Sequence, residues 1–304
     1  MGIDAPSGGW RDKAVTTVGG TRIPIVAGIT ARAGRQMVAR GLSGLTTSTA
    51  AYPRQPARVR CVSRPIVRRS PTHAARVLAA LQLTPRMRRV TVQADTMIGI
   101  AIRPAQDVEL FLREDGGRRV KRRYTIRHAR PDRGELDLDV LLHGGGPGAM
   151  WGASAGPGDA VEFQGPRGKL ELSAADWHLL AGDESALPAI GAVCEALPEA
   201  ERATAVIEVG DATDELPLAD SARVHWVHRG GAPLGKPDLL AGAIQALPTP
   251  PGRGHAYLMG ETRSMVALRA VLEARGIAHE AIFVKGYWNI GRPDRIAGRA
   301  PPPR

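Results

Sequence analysis

Between Glu135 and Leu142 the chain alternates strictly: Leu136, Leu138, Val140 and Leu142 fall on one side of an extended strand, and Glu135, Asp137 and Asp139 on the other. That period of two predicts a half-buried antiparallel strand whose acids face water. Shorter β-type runs precede it at residues 75–83, 88–92 and 108–112, separated by Pro85, Pro104 and Gly116-Gly117, and another follows Pro157-Gly158 at 159–163. Strands spaced by turns over residues 72–172 predict a six-stranded-type antiparallel Greek-key barrel. The texture changes near Ser173. Strands expected at 177–181, 203–209, 224–227, 255–259 and 281–285 alternate with helical stretches at 186–197, 237–246 and 261–275. This predicts a mainly parallel α/β domain over residues 173–291 with helices on both faces, and in such sheets ligands sit beyond the carboxyl ends of the strands.

Charge modifies this picture only at one end. The 304 residues carry a formal net charge of +11. Residues 1–71 hold 12 Lys and Arg against two Asp, which leaves 29 basic and 28 acidic residues for the remainder. A basic groove across the folded part is therefore not supported, and neither is a nucleic-acid partner. Residues 1–71, rich in Arg, Gly, Ser and Thr and without a period, are expected to be a disordered basic leader. They read more readily as upstream sequence translated from an early start codon than as a presequence. Residues 292–304, with three consecutive prolines, are expected to form a loose tail. No run approaches the roughly 18 apolar residues of a membrane span, so a soluble, cytoplasmic protein is expected. Cys61 and Cys194 are too few for an iron–sulfur cluster, and His225 and His228 point to opposite faces of a strand, so no metal site is expected.

Three constellations carry chemistry. Arg123-Tyr124-Thr125-Ile126-Arg127 lies on an expected barrel strand, with Arg123, Thr125 and Arg127 on one face. A planar redox ring with a phosphate-bearing tail needs a guanidinium, an aromatic and a hydroxyl, although an ordinary charged strand would read the same way. His143-Gly144-Gly145-Gly146-Pro147 leads to Trp151. Its exposed N–H groups at the start of a helix suit a phosphate, and a flexible turn is the alternative. Lys285-Gly286-Tyr287-Trp288 follows the last strand and places a cation beside two aromatics, which core packing would equally explain. Gly165-Pro166-Arg167-Gly168 reads as a cationic turn. Arg223 and Arg229 are candidates to meet a ribose phosphate. No Ser/His/Asp arrangement or Gly-x-Gly-x-x-Gly fingerprint has the right context, which disfavours a hydrolase and an ordinary Rossmann dehydrogenase.

In this order, together with Gly182-Asp183-Glu184-Ser185-Ala186-Leu187-Pro188-Ala189-Ile190 and Gly260-Glu261, these pieces resemble the siderophore-interacting proteins, flavin-dependent ferric-siderophore reductases related to the ferredoxin reductases. The resemblance covers residues 75–291. It implies that Arg123, Tyr124, Thr125 and Arg127 bind FAD, with His143, Gly144, Gly146, Pro147 and Trp151 around its diphosphate and adenosine. It also implies that Gly182, Asp183, Glu184, Ser185, Gly260 and Glu261 flank a nicotinamide site, Ser185 standing where Thr is usual. Asp183 and Glu184 suit a helix N-terminus in any case. Tyr287 and Trp288 would pack the flavin, and Lys285 would bind an anionic ferric chelate with help from Lys121, Arg122 and Arg167.

The expected function is ferric-siderophore reduction, with hydride passing from NAD(P)H to FAD and single electrons passing to chelated Fe(III), without an essential protein acid or base. A general flavin or ferredoxin-type reductase component, which would give a ferredoxin as partner, and a non-catalytic siderophore carrier are the alternatives.

Overall fold

The computed structural model describes residues 71–113, 117–198 and 202–291; the expected leader, up to residue 70, and the tail beyond residue 291 lie outside them. Six antiparallel strands come first: β1 (Thr72–Thr84), β2 (Met87–Gln93), β3 (Asp107–Arg113), β4 (Arg119–Arg130), β5 (Glu135–Leu141) and β6 (Ala160–Arg167), with the helix α1 (Pro147–Ser154) before β6. They close into a barrel in the order β1-β2-β5-β4-β3-β6, a Greek key. The alternation in β5 works as expected on the inner side: Leu136 and Leu138 face Val92 and Val90 of β2 across the ladder and are fully buried with them.

The outer side of β5 corrects the expectation of exposed acids. Asp137 and Asp139 are only 4% and 5% exposed. Arg89, directly opposite Asp139, grips it through two hydrogen bonds of 2.6 and 2.8 Å. Arg130 does the same for Asp137 at 2.8 and 3.0 Å, with Thr91 donating at 2.8 Å. Burial works against the charge of Asp137, but the bonds from His128, Arg130 and Thr91 outweigh it and hold its carboxyl far below the usual range. Hydrophobic period alone does not reveal such cover, because the covering arginines sit on neighbouring strands. The expected Gly165–Gly168 turn is also revised, since Arg167 is the last residue of β6.

The second layer is a five-stranded parallel sheet in the order β11-β10-β7-β8-β9. It is built from β7 (Trp177–Asp183), α2 (Leu187–Ala196), β8 (Arg202–Val209), β9 (Ala222–His228), α3 (Asp238–Ala246), β10 (Gly254–Glu261), α4 (Thr262–Ala274) and β11 (Ile282–Trp288). One face, with Leu180, Ile207 and Met259, packs on α2. The other, with Ala181, Val206 and Leu258, packs on Leu240 and Ile244 of α3 and on Met265, Leu268 and Leu272 of α4. Met87, Ala105 and Leu170 extend the α2 cluster back to the barrel, so the two layers share apolar surface. No helix among the described residues is long and apolar enough to cross a membrane.

Candidate functional site

The sheet order brings the carboxyl ends of β7, β10 and β11 side by side, and of the residues expected around a nicotinamide Gly182, Asp183, Ser185, Gly260 and Glu261 meet there, whereas Glu184 turns its carboxylate away to Arg229. The buried Asp183 carboxylate accepts from the Ser185 N–H at 2.9 Å, the Ser185 hydroxyl at 2.5 Å, the Trp288 indole N–H at 2.9 Å and the Glu261 N–H at 2.8 Å. Burial pushes its pKa up despite these donors. Gly182 and Gly260 are required by this closeness: a Cβ on Gly182 would stand 2.1 Å from the Met259 carbonyl oxygen, and one on Gly260, whose φ is +149°, 2.5 Å from Asp183. Glu261 caps α4 by accepting from the Ser264 N–H at 2.7 Å. Asp183 and Glu261 thus tie the three strand ends together, with Ser185 and Trp288 half-buried beside them.

Strand alternation sorts the barrel residues into two sets. Arg122 and Tyr124 turn toward α1. The Tyr124 ring lies 6.0 Å from that of Trp151, and a Cβ on Gly148 would stand 2.1 Å from the Tyr124 hydroxyl and 3.4 Å from Arg122 Cγ. Pro147 opens α1 after Gly146, and no side chain caps its first turn. His143 is exposed, and Gly144 and Gly145 have open space around them. Arg122, expected beside Lys121, therefore sits on the other face of the strand, next to an uncapped helix start.

The outward set is Lys121, Arg123 and Thr125. Arg123 donates to Asp107 at 2.7–2.9 Å, and Lys285 of β11 reaches the same carboxylate at 3.0 Å, with its ammonium 5.0 Å from the Tyr287 ring centre. The Tyr287 hydroxyl lies beside Thr125 and donates to Met259 Sδ at 3.5 Å, and burial pushes its pKa well up. Lys121 and Arg167 converge on Glu109 at 2.8 and 2.9 Å. Burial opposes the charge of Glu109, and these two partners override it and lower its pKa. The acids Asp107 and Glu109 escaped the sequence reading. Their signal was the alternation in Asp107-Val108-Glu109-Leu110, which places both on the outer face beside the basic strand β4.

Two arginines stand elsewhere than expected. A bulge between Ile126 and His128 inserts Arg127 into the β4–β5 ladder and aims it at α2, where it forms a two-pronged pair with Glu195 at 2.5 and 2.7 Å above Gly191. Arg229 is buried between Glu184 at 2.8 Å and Glu208 at 3.1 Å, so it is not open to a ribose phosphate, while Arg223 is exposed on β9.

A flavin dinucleotide asks for an anion-compatible helix start, an aromatic wall and a hydroxyl-bearing edge close to its electron donor and acceptor. The uncapped α1 with Arg122, the Tyr124–Trp151 pair, and Thr125 facing Tyr287 meet that description, and glycine at 148 leaves the room they need.

Two family models match the chain, one described as siderophore-interacting protein over residues 175–291 and one as siderophore-interacting FAD-binding domain over residues 113–170. An uncharacterised protein of Mycobacterium tuberculosis is 34% identical over 263 residues, covering 74% of this chain and 93% of that protein. The ferric vibriobactin reductase of Vibrio cholerae is 36% identical over 180 residues, covering 57% of this chain and 66% of that one. Among solved structures, a siderophore utilization protein from T. fusca superposes with a TM-score of 0.67 at 31% identity, covering 73% of this chain and 94% of its own.

Proposed function

The chain belongs to the siderophore-interacting protein family, and from this we propose that it is a ferric-siderophore reductase that binds FAD beside β4 and is reduced by a nicotinamide. Bound FAD supplies what no side chain here can: it takes a hydride from NADH or NADPH and releases the two electrons singly, so one nicotinamide reduces two chelated Fe(III) to Fe(II) with release of one proton. Arg122 and the first N–H groups of α1 hold the diphosphate, with the 143–147 loop around it. Tyr124 and Trp151 form the aromatic wall, and Thr125 and Tyr287 form the edge where donor and acceptor arrive. Arg127 serves the flavin indirectly, by tying β4 to α2.

Lys285, Arg123, Lys121 and Arg167 form the cationic rim. With Asp107 and Glu109 beneath them the rim keeps a net positive charge, which draws in an anionic oxygen chelate without binding it irreversibly. Iron(II) is the weaker partner for oxygen ligands, so reduction loosens the chelate.

The observation that carries this reading is the Lys285–Asp107–Arg123 cluster next to Thr125 and Tyr287, which joins a flavin-type strand to a cationic residue from the last strand of the sheet. The ferric vibriobactin reductase among the relatives supports the same substrate class. The test is to purify the protein, load it with FAD, add NADH or NADPH without oxygen, and then add a ferric siderophore. Bleaching of the flavin followed by recovery of its colour and formation of Fe(II) is expected. Recovery with ferredoxin or free flavin but not with ferric chelate would make it a general reductase component. A chain that binds chelate but takes up no FAD would be a carrier.

A further inference from the structure

The inner face of β2 does not stay apolar to its end. Val92 and Val90 face Leu136 and Leu138 inside the barrel, and the next inward position is Arg88, opposite the fully buried Val140. A half-buried guanidinium needs acceptors. Its neighbours Arg86 and Arg89 each pair with an aspartate. Arg88 bonds instead to two backbone carbonyls, that of Gly152 at 2.9 Å and that of Ala153.

Both carbonyls belong to the last turn of α1, and the last carbonyls of a helix have no partner within it. The Ala155 N–H serves Trp151 at 2.8 Å, and Arg88 serves the next two. α1 has no basic residue of its own in that turn, so a neighbouring strand supplies the cation that a helix carboxyl end favours.

Eight residues are too few to hold a helix unaided, so α1 keeps its place through its contacts. Gly152 lies so close to the barrel that a Cβ there would stand 2.4 Å from Val140 Cγ1, and Gly148 lies as close to Tyr124. Arg88 fixes the far end. At about 1.5 Å per residue the helix is about 12 Å long, and release of its carboxyl end lets it pivot on Gly152. The pivot would move the amino end, where the N–H groups of Gly148 and Ala149 have neither an intrahelical partner nor a side-chain cap.

We propose that Arg88 is a positioning residue for the flavin: by gripping the carboxyl end of α1 it holds the Gly148 and Ala149 N–H groups where they meet the diphosphate. It acts through the helix, from the end opposite the diphosphate. The assignment rests on the reading above that FAD lies along β4 and α1.

The test is flavin binding rather than turnover. The full chain, freed of flavin, is titrated with FAD and with FMN, which lacks the second phosphate and the adenosine, and binding is followed by flavin fluorescence. Arg88→Met, similar in length but unable to donate, should raise the Kd for FAD about tenfold, the worth of one hydrogen bond from a charged group. It should also lower the preference for FAD over FMN. Arg88→Lys, which keeps a cation and its donors, should stay within about threefold of the native Kd. Amide hydrogen exchange gives a readout that general loosening would not: in Arg88→Met it should quicken at residues 148–154 and stay native in the β2–β5 ladder. Arg88→Gln, which keeps an N–H donor, takes the place of Arg88→Met if that variant does not fold, and should raise the Kd about threefold. A native Kd without the arginine, equal losses in the Met and Lys variants, or exchange quickened throughout the barrel overturns the positioning role alone. A native chain that takes up no FAD overturns the flavin reading and this role with it.

Discussion

At the scale of single residues, Lys285 and Gly148 make the sharpest claims. Lys285 is about one-fifth exposed and shares Asp107 with the half-exposed Arg123. Removing its charge leaves Asp107 still paired, so Lys285→Ala should keep its fold and its flavin while KM for an anionic ferric chelate rises about tenfold, measured by steady-state reduction. An unchanged KM would remove the residue from the rim. A Cβ on Gly148 would run into the Tyr124 hydroxyl, and one on Gly144 would meet nothing within 4 Å. Gly148→Ala should therefore lower the flavin-to-protein ratio of the purified protein, and Gly144→Ala should leave it near the native value. Of these features the lysine and the tyrosine lie in motifs the sequence singles out, whereas the glycine that meets Tyr124 is Gly148, which it does not mark, and Gly144, which it does mark, has open space around it. Asp107 and Glu109 were not legible, because an acid's role as counter-ion depends on which strand lies beside it, and the chain order β3, β4, β6 does not say that β3 lies between the other two.

At the scale of elements, the barrel strands and the alternation of strands and helices followed from hydrophobic period, whereas the β4 bulge did not. A one-residue insertion changes which way every later side chain points without altering composition, and it turned Arg127 from the expected flavin face to α2. The resulting clasp has a pH signature. The hydrogen bond from Arg127, with burial opposing, holds Glu195 below the ordinary glutamate value of 4.5. The unfolded chain then takes up a proton more readily than the folded one as acid is added, so this contribution is fully present above pH 4.5 and is lost as pH falls through the lower folded value. Because Glu195 is about 40% exposed, solvent screening limits the effect to roughly 0.5–1 kcal/mol. Urea unfolding at a series of pH values should show Glu195→Gln less stable than the native protein at pH 7 and the difference shrinking below pH 4. A difference constant with pH would mean that the pair contributes through packing rather than charge.

For the whole molecule, the decisive feature is that barrel and sheet share one apolar cluster. Met87, at the start of β2 and 3% exposed, packs with Leu187, Ile190 and Val193 of α2, with Leu83 and Leu141 of the barrel alongside. Arg86, next to it, and Arg127 add ionic ties to the same second layer. Two layers joined only by polar contacts would melt separately, but a continuous core couples them, so calorimetry should record a single transition with equal calorimetric and van't Hoff enthalpies. Met87→Ala removes atoms from the middle of that joint at a cost of about 2–5 kcal/mol, which corresponds to roughly 3–10 °C in Tm for a chain of this size. The single transition should move as a whole. On the proposed function, flavin would draw on β4 and α1 within the barrel, so its binding should weaken less than its rate of reduction by NADH or NADPH, which would need the sheet held at the correct distance from the barrel. If only one of two resolved transitions shifted, or if the reduction rate were untouched, the layers would be independent units and the shared core would not be what aligns the donor with the flavin.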